Sequence, residues 1–454
     1  MRIFPSEPNI RIGEVGFDST DSENRPYDRL GRKPIGKQLS ELVERVDQPL
    51  VVALDGDWGS GKSHFLKLWA GAHRLELGGT AKVIYFDAFE HDFIDDPLVG
   101  LVSALMKANA GQIERKGAFH EVKKWAIPLV RLGVRVGVAA GTAGLSEIAA
   151  PALDAAMSKA ADAVDKKVDD FWRAESNRIT AMAQFRSALQ DLAKSGEKDE
   201  KPQKLVFIVD ELDRCRPDYA LSLLEIIKHL FAVENVHFVL GVNLDGLEKS
   251  VKVRYGGEID ARIYLRKFIS ISMTFPHKRS NRNIGSWEVY FDSLVSEMGL
   301  PPTISECMKR NMQFYGRNHP ISLRDVQRVA SRLALMPQKM EGWSYPYQMV
   351  GTGAVLMNIF APEILATTLT GTRVWDQVES FYSFNEARRM NAVLAETLFH
   401  LWRRVLLDDP GEDTTAKTAD AFETFMLRDR EGHFLSLWSD LLDVFHLPAD
   451  PVTS

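Results

Sequence analysis

Residues 56–63 read Gly-Asp-Trp-Gly-Ser-Gly-Lys-Ser, and this stretch decides the fold of the chain. The apolar run Pro49-Leu-Val-Val-Ala-Leu-Asp precedes it, and Phe65, Leu66 and Trp69 follow it with helical spacing. Strand, glycine-rich loop and helix are the context in which the pattern G-x-x-x-x-G-K-S binds phosphate. Glycine lets the backbone approach the anion closely, and the loop N–H groups with the helix N-terminus hold it.

This phosphate-binding loop (P-loop) predicts a nucleotide site with assigned roles. Lys62 should contact the β- and γ-phosphates, and the Ser63 hydroxyl should ligate Mg²⁺. The nucleotide-binding residues predicted here are Gly56, Asp57, Trp58, Gly59, Ser60, Gly61, Lys62, Ser63 and His64.

A second motif, Val206-Phe-Ile-Val-Asp-Glu, supplies the other half of the site. Asp210 ends a continuous apolar run, which is typical of a buried parallel strand, and its carboxylate should hold Mg²⁺. Glu211 is placed to polarise the water that attacks the γ-phosphate. ATP hydrolysis, with ATP and Mg²⁺ as ligands, is therefore the favoured chemistry.

Two polar residues near these motifs have open assignments. Asn243 ends the run Val239-Leu-Gly-Val and could orient the attacking water, but Asn243-Leu-Asp-Gly is also good turn chemistry. Asp213 could order the turn after Glu211, contact a neighbouring subunit, or simply pair with Arg214.

Catalysis of this type usually needs a cation at the γ-phosphate. Arg262 and Arg266 are the preferred candidates over Arg254, and one of them could act across an interface if the protein forms homo-oligomers. Arg324 and Arg328, on a later helix, could supply a second sensor. For all of them a solvated helix face is the competing interpretation.

Composition sets limits on compartment and partners. A chain of 454 residues with 45% hydrophobic and 26% charged residues is typical of a soluble multi-domain protein. Two cysteines indicate a reducing compartment, and the N-terminus lacks a signal peptide, so we expect a cytoplasmic protein. The longest uncharged stretch of the Ala/Gly-rich region, Val136 to Ser146, is far shorter than the roughly 20 residues of a spanning helix. We expect no membrane span, with peripheral membrane contact left open.

The chain reads as an α/β protein, with a parallel five-stranded P-loop NTPase sheet. We expect an N-terminal arm at 1–35 and a nucleotide core at 36–275, with a helical insertion at about 108–194 between the two motifs. A helical lid at 276–349 and a C-terminal helical domain at 350–454 should follow. Predicted strands include 82–87, 205–209, 236–242 and 268–275.

Basic segments raise the question of nucleic acid. Residues 251–282 carry eight Lys/Arg against two acids. Such charge could contact nucleic acid, but aromatic residues are too sparse there for base stacking, and the net charge of −6 gives no general attraction.

Four segments together resemble the KAP family of P-loop NTPases, which is similar to the STAND and AAA+ proteins. They are the P-loop with Trp58, the run Phe86-Asp-Ala-Phe-Glu-His, Val209-Asp-Glu-Leu-Asp-Arg-Cys, and Ile321-Ser-Leu-Arg-Asp-Val. The resemblance implies that Arg32 lies near the adenine and that Arg324 is a nucleotide-contacting lid residue, with Leu323 in place of the family's proline.

The resemblance also implies a role. Prokaryotic relatives often serve as ATPase components of antiviral defence systems, so we expect a switch or assembly ATPase acting on partner effector proteins. A nucleotide-gated scaffold with little hydrolysis and a nucleic-acid-stimulated motor are the alternatives.

Overall fold

The computed structural model describes residues 4–5, 10–94, 96–108, 116–131, 179–194, 204–275, 286–336, 341–369, 375–384, 398–403 and 406. The chain divides into two compact units, Pro8–Pro276 and His277–Ser454, the second also including Met1–Glu7. Among the described residues no helix combines the length and the apolar character needed to cross a membrane.

The first unit is built on one parallel sheet. Its strands are β1 (Leu50–Asp55), β2 (Lys82–Asp87), β3 (Leu205–Asp210), β4 (Val236–Val242) and β5 (Ile271–Thr274), in the order β2-β3-β4-β1-β5. All the pairings are parallel, which confirms the predicted α/β fold with five parallel strands. Strands β3 and β4 are buried along their whole length, as their continuous apolar sequences predict.

Helices cover both faces of this sheet. Helices α1 (Lys33–Arg45) and α2 (Lys62–Leu75) contribute to one apolar core, which includes Val206 and Ile208 of β3. The alternating residues Phe207 and Val209 belong to the core on the other face. That core also includes residues of α3 (Pro97–Ala108), α4 (Lys116–Arg131), α5 (residues 179–194), α6 (Pro217–Leu230), α7 (Leu244–Tyr255) and α8 (Ala261–Leu265). Side chains that alternate along β3 thus belong to two different cores, one on each face of the sheet.

The predicted strand over residues 268–275 is shorter than expected. Backbone N–H groups of Phe268 and Ile269 donate to the Leu265 carbonyl and so continue the turn that ends α8. The ladder with β1 begins only at Ser270, whose N–H donates to Val51. Strand β5 therefore covers four residues, Ile271–Thr274, at the edge of the sheet.

The regular elements described in the second unit are all helices. It contains α9 (Ser286–Met298), α10 (Pro302–Tyr315), α11 (Leu323–Ala334), α12 (Tyr345–Phe360), α13 (Pro362–Leu369), α14 (Trp375–Tyr382) and a helical segment at 398–403. Ser322 and Asp325 form the predicted capping box at the start of α11. Helix α12 runs through positions 349 and 350, where the sequence-based division placed a domain boundary, and one apolar core includes residues on both sides.

Helices α4 and α5 occupy the ends of the predicted insertion. The Ala/Gly-rich stretch between them and the predicted helices beyond residue 406 lie outside the described residues.

Candidate active site

The polar ends of the parallel strands meet at one edge of the sheet. Asp87 of β2 is in register with Asp210 of β3, and Asp210 with Gly241 of β4. Asp55 of β1 is in register with Val242, which directly precedes Asn243. The two motifs separated by some 150 residues of sequence therefore lie at the same edge, where α/β sheets bind ligands.

The P-loop connects β1 to α2 at this edge. Gly59 and Gly61 have φ values of +76° and +86°, a left-handed conformation that favours glycine. The Lys62 ammonium donates to the carbonyl oxygens of Gly56 and, at 3.1 Å, Asp57. Burial lowers the pKa of Lys62 although several carboxylates around it favour the charged form. Ser60 Oγ is buried and has no hydrogen-bond partner among the described residues.

Arg32 braces the P-loop. Its guanidinium donates to the Ser60 carbonyl at 2.9 Å and the Gly61 carbonyl at 3.4 Å, and it lies 4.3 Å from the ring centroid of Phe275. Burial lowers the pKa of Arg32 to about 10, so it stays charged at neutral pH. The Arg32 guanidinium thus contacts the loop backbone and the Phe275 ring. Its predicted place near the adenine stays a prediction.

His64 anchors the start of α2 to the N-terminal segment. Its Nε2 lies 2.9 Å from the carbonyl oxygen of Tyr27. Because that oxygen can only accept, Nε2 carries the hydrogen. Burial, aided by the charges of Arg32 and Arg29, lowers the pKa of His64 and favours the neutral ring.

Asp210 is a buried carboxylate held by three groups. Its side chain accepts from the Tyr85 hydroxyl at 2.7 Å and the Glu211 N–H at 2.9 Å, and it is hydrogen-bonded to Ser63. Burial raises the pKa of Asp210, and the charge of Asp87 adds to this effect. None of its three partners carries a positive charge, so a cation would stabilise the ionised form.

The donor set at Asp210 and Ser63 fits Mg²⁺. Mg²⁺ prefers oxygen ligands and is usually bound by one or two protein oxygens together with phosphate and water. The described residues contain no cluster of three or more His, Cys, Asp or Glu side chains that could hold a metal by itself. Ser63 and Asp210 are the residues that could hold a metal at this edge, and their role as ligands stays a prediction.

Glu211 lies at the beginning of a short turn, the 3₁₀ helix Leu212–Arg214. Its φ of +58° is unusual for a residue other than glycine. The Arg214 guanidinium pairs with the Glu211 carboxylate at 3.0 Å, while burial raises the Glu211 pKa. Arg214 therefore pairs with Glu211 here, whereas Asp213 accepts from the Trp58 indole N–H.

Asn243 lies where the sequence places it, at the end of the strand between β1 and β3. Its side-chain oxygen accepts from the Gly246 N–H at 2.7 Å and caps α7. The side-chain oxygen of Asn243 therefore has the capping role that its sequence context suggests. Its amide NH₂ makes no hydrogen bond within the part of the chain that the structure describes, and a sensor role for that group stays a prediction.

The candidate arginines occupy different positions. Arg262 is exposed and pairs with Glu248 at 3.1 Å, Arg254 pairs with Asp218 at 3.0 Å, and Arg266 is the exposed C-cap of α8. Arg324 is exposed at the start of α11 in the second unit, where Arg328 lies 3.7 Å from Asp325. Their roles at a γ-phosphate stay predictions.

Sequence reasoning missed Tyr85 and Arg214 as site residues. The Tyr85 side chain is on the same face of β2 as Asp87, two residues on, which is the available signal for its place beside Asp210. For Arg214 the sequence suggests only a pairing with Asp213.

Comparison with solved structures shows distant likenesses. The Aeropyrum pernix ORC2 protein in its ADPNP-ADP complexes is 12% identical, with a TM-score of 0.34 over 90% of this chain and 86% of that chain. Cdc6p from Pyrobaculum aerophilum is 12% identical, with a TM-score of 0.38 over 93% of this chain and 96% of that chain. Likenesses at this level carry no inference about function.

Sequence comparison, in contrast, identifies the family of the chain. No curated protein matches the chain. The model of the KAP family P-loop domain matches residues 32–340, which include the P-loop, Asp210, Glu211 and Arg324. This match covers more than half of the chain and confirms the resemblance of its four motifs, and the chain therefore belongs to the KAP family of P-loop NTPases.

Proposed function

We propose that this protein is a Mg²⁺-dependent ATPase that works as a conformational switch. The observation that carries the proposal is the meeting of Lys62, Ser63, Asp210 and Glu211 at one edge of the sheet. A phosphate-binding loop, a buried metal-ligating carboxylate and a partly buried second carboxylate are the parts that in-line hydrolysis of a γ-phosphate needs.

The P-loop would bind the phosphates through its N–H groups and Lys62. The Lys62 ammonium already lies at the loop, where it donates to the carbonyls of Gly56 and Asp57. Phosphate oxygens would replace these weaker acceptors. Arg32 holds the carbonyls of Ser60 and Gly61 and so fixes the loop backbone that the phosphates contact.

Asp210 and Ser63 would ligate the metal. Mg²⁺ held by these two residues would supply positive charge that offsets the negative charge of the phosphates. The Tyr85 hydroxyl and the Glu211 N–H orient the Asp210 carboxylate, as outer hydrogen bonds do for metal ligands generally.

Glu211 would accept a hydrogen bond from the attacking water and orient it. Partial burial raises the Glu211 pKa, which makes the carboxylate a better base at neutral pH. The charge of Arg214 favours the ionised form of Glu211, and the ion pair limits the positions of the carboxylate. Asn243, and an arginine such as Arg262, Arg266 or Arg324, would complete the contacts to the γ-phosphate.

The test is phosphate release from ATP by the purified chain, with Mg²⁺ and with excess EDTA. We expect turnover with Mg²⁺ only, and its loss in Asp210→Asn, whose amide is a poor ligand for Mg²⁺. Asp245→Asn, which changes an exposed acid of α7, is the matched control and should keep full activity. Equal turnover in Asp210→Asn and Asp245→Asn would contradict the metal assignment.

The switch would act on partner effector proteins, and the family resemblance suggests antiviral defence as the setting. Capture from native cells with Glu211→Gln and ATP would test this. We expect the same partners to be enriched with ATP and lost with ADP. Partners that do not depend on the nucleotide would favour a scaffold instead.

A further inference from the structure

We infer that Trp58 and Asp213 form a positioning pair, which sets the P-loop against the turn that carries Glu211 during hydrolysis. The inference rests on the ATPase activity proposed above. Neither residue is expected to contact the reacting atoms, and both act through the elements that they join.

The first observation is the bond itself. The Trp58 indole Nε1 donates to Asp213 Oδ2 at 2.5 Å, and 155 residues separate the two in sequence. Trp58 belongs to the P-loop and Asp213 to the 3₁₀ turn Leu212–Arg214. This hydrogen bond therefore links the element that holds the phosphates to the element that holds the catalytic carboxylate.

Burial does not explain the tryptophan. Trp58 keeps 51% of its surface exposed, whereas Trp69 in the adjoining helix is fully buried. A large aromatic side chain that is left half in water adds little to an apolar core. A structural reason for an indole at this position has to come from its N–H and from the surface on which its ring lies.

The ring lies on the first turn of α7. A Cβ atom built on Gly246 would be 3.3 Å from Trp58 Cζ2, 3.4 Å from Asn243 Oδ1 and 3.6 Å from Asp213 Cβ. Glycine at 246 lets the indole approach the helix beside the Asn243 cap. One side chain thus contacts the turn after β3 and the beginning of α7.

A displacement of Asp213 would also displace Glu211, because the turn that joins them is short. It is one 3₁₀ turn long, and Glu211 at its start has a left-handed φ of +58° that surrounding contacts must maintain. The Arg214–Glu211 ion pair closes its other end. Loss of the Trp58 bond would release the middle of this turn and change where the Glu211 carboxylate lies.

The experiment is a double-mutant cycle on the full chain, with Trp58→Phe, Asp213→Ala and the double variant. Trp58→Phe keeps a ring and loses the donor, and Asp213→Asn, which retains an acceptor oxygen, is the conservative variant. The readouts are kcat at saturating Mg²⁺-ATP, the dissociation constant of a fluorescent ADP analogue, and the melting temperature.

Each single variant should lower kcat by about tenfold. The kcat of the double variant should be at most about twofold below that of either single variant, because the effects of contacting residues that act as a unit are non-additive. ADP affinity should change by less than about threefold because P-loop contacts to phosphate are kept. Asp213→Asn should recover most of the activity. Trp125→Phe, which removes an indole bond to Glu121 at 3.2 Å, is the matched control and should behave as wild type.

The outcomes separate this inference from the proposed function. An inactive wild-type chain would overturn the hydrolysis and, with it, the role of the pair. If the wild type is active and the kcat losses of the two single variants multiply in the double variant, only the inference about the pair is overturned. So would unchanged kcat in both single variants, or losses of kcat and ADP affinity that both follow a lowered melting temperature.

Discussion

Buried polar side chains occur in both units of the molecule, but they do different things. In the second unit the amide nitrogen of Asn311 donates to the carbonyls of Cys307 and Met349 and to Thr352 Oγ1, at 2.9–3.0 Å. These groups are neutral, and their partners belong to the packed helices α10 and α12. In the first unit the buried side chains of Lys62 and Asp210 are ionisable. Lys62 begins α2, Asp210 ends β3, and burial disfavours the charged form of both.

The difference shows which buried polar groups indicate chemistry. A neutral amide that bonds to backbone carbonyls stabilises helix packing. A buried carboxylate with a raised pKa, next to a loop that exposes N–H groups, stores an electrostatic cost that a ligand can offset. By this criterion we propose that the edge of the sheet is the functional site and that the Asn311 network is structural.

The largest expected effect on nucleotide affinity is that of Lys62→Ala. Nucleotide affinity should fall by about a hundredfold, because hydrogen bonds to charged groups contribute about 1.5–3 kcal/mol each. Calorimetric titration with ADP measures it. Arg74→Ala, which removes an exposed cation at the far end of the same helix, is the control and should bind as wild type. Equal affinities of Lys62→Ala and the wild type for ADP would contradict the role of the P-loop in nucleotide binding.

A smaller effect is expected for Tyr85→Phe, which removes only the hydroxyl bonded to Asp210. Turnover should fall by about tenfold, and the Mg²⁺ concentration for half-maximal rate should rise, as loss of an outer hydrogen bond to a metal ligand usually weakens the site 10–100-fold. Steady-state kinetics over a Mg²⁺ series provide the measurement. Tyr255→Phe, which breaks a surface bond to Tyr264, should leave the series unchanged. An unshifted Mg²⁺ dependence in Tyr85→Phe would mean that Asp210 needs no support from β2.

The smallest effect on turnover is expected for Asn311→Ala in the second unit. The free energy of unfolding should fall by about 1–3 kcal/mol, the usual cost of leaving buried partners unsatisfied. Turnover per folded molecule should not change. Urea unfolding and ATPase assays on the same preparation test both statements. A loss of turnover without a loss of stability would show that the comparison between the units is mistaken.

The parts of the site that are contiguous in sequence could be predicted from it. The P-loop, the strand that ends at Asp210 and Glu211, and the strand before Asn243 are local patterns with local physical causes. The contacts between them could not, because they depend on strand register and on loop paths. Tyr85 reaches Asp210 across 125 residues, and Arg32 reaches the Ser60 carbonyl from a segment that precedes α1. The length of β5 was also missed, since the turn bonds that end α8 compete with the ladder for the same N–H groups.

Single-turnover cleavage of ATP by Glu211→Gln tests the central claim most directly, with enzyme in excess and ADP formation followed by rapid quench. Glu90→Gln, which changes an exposed acid in the loop after β2, is the matched control. We predict that Glu211→Gln binds ATP as wild type does and cleaves it about 10²–10⁴ times more slowly, the usual contribution of a positioned base. Cleavage at the wild-type rate in Glu211→Gln would contradict the account.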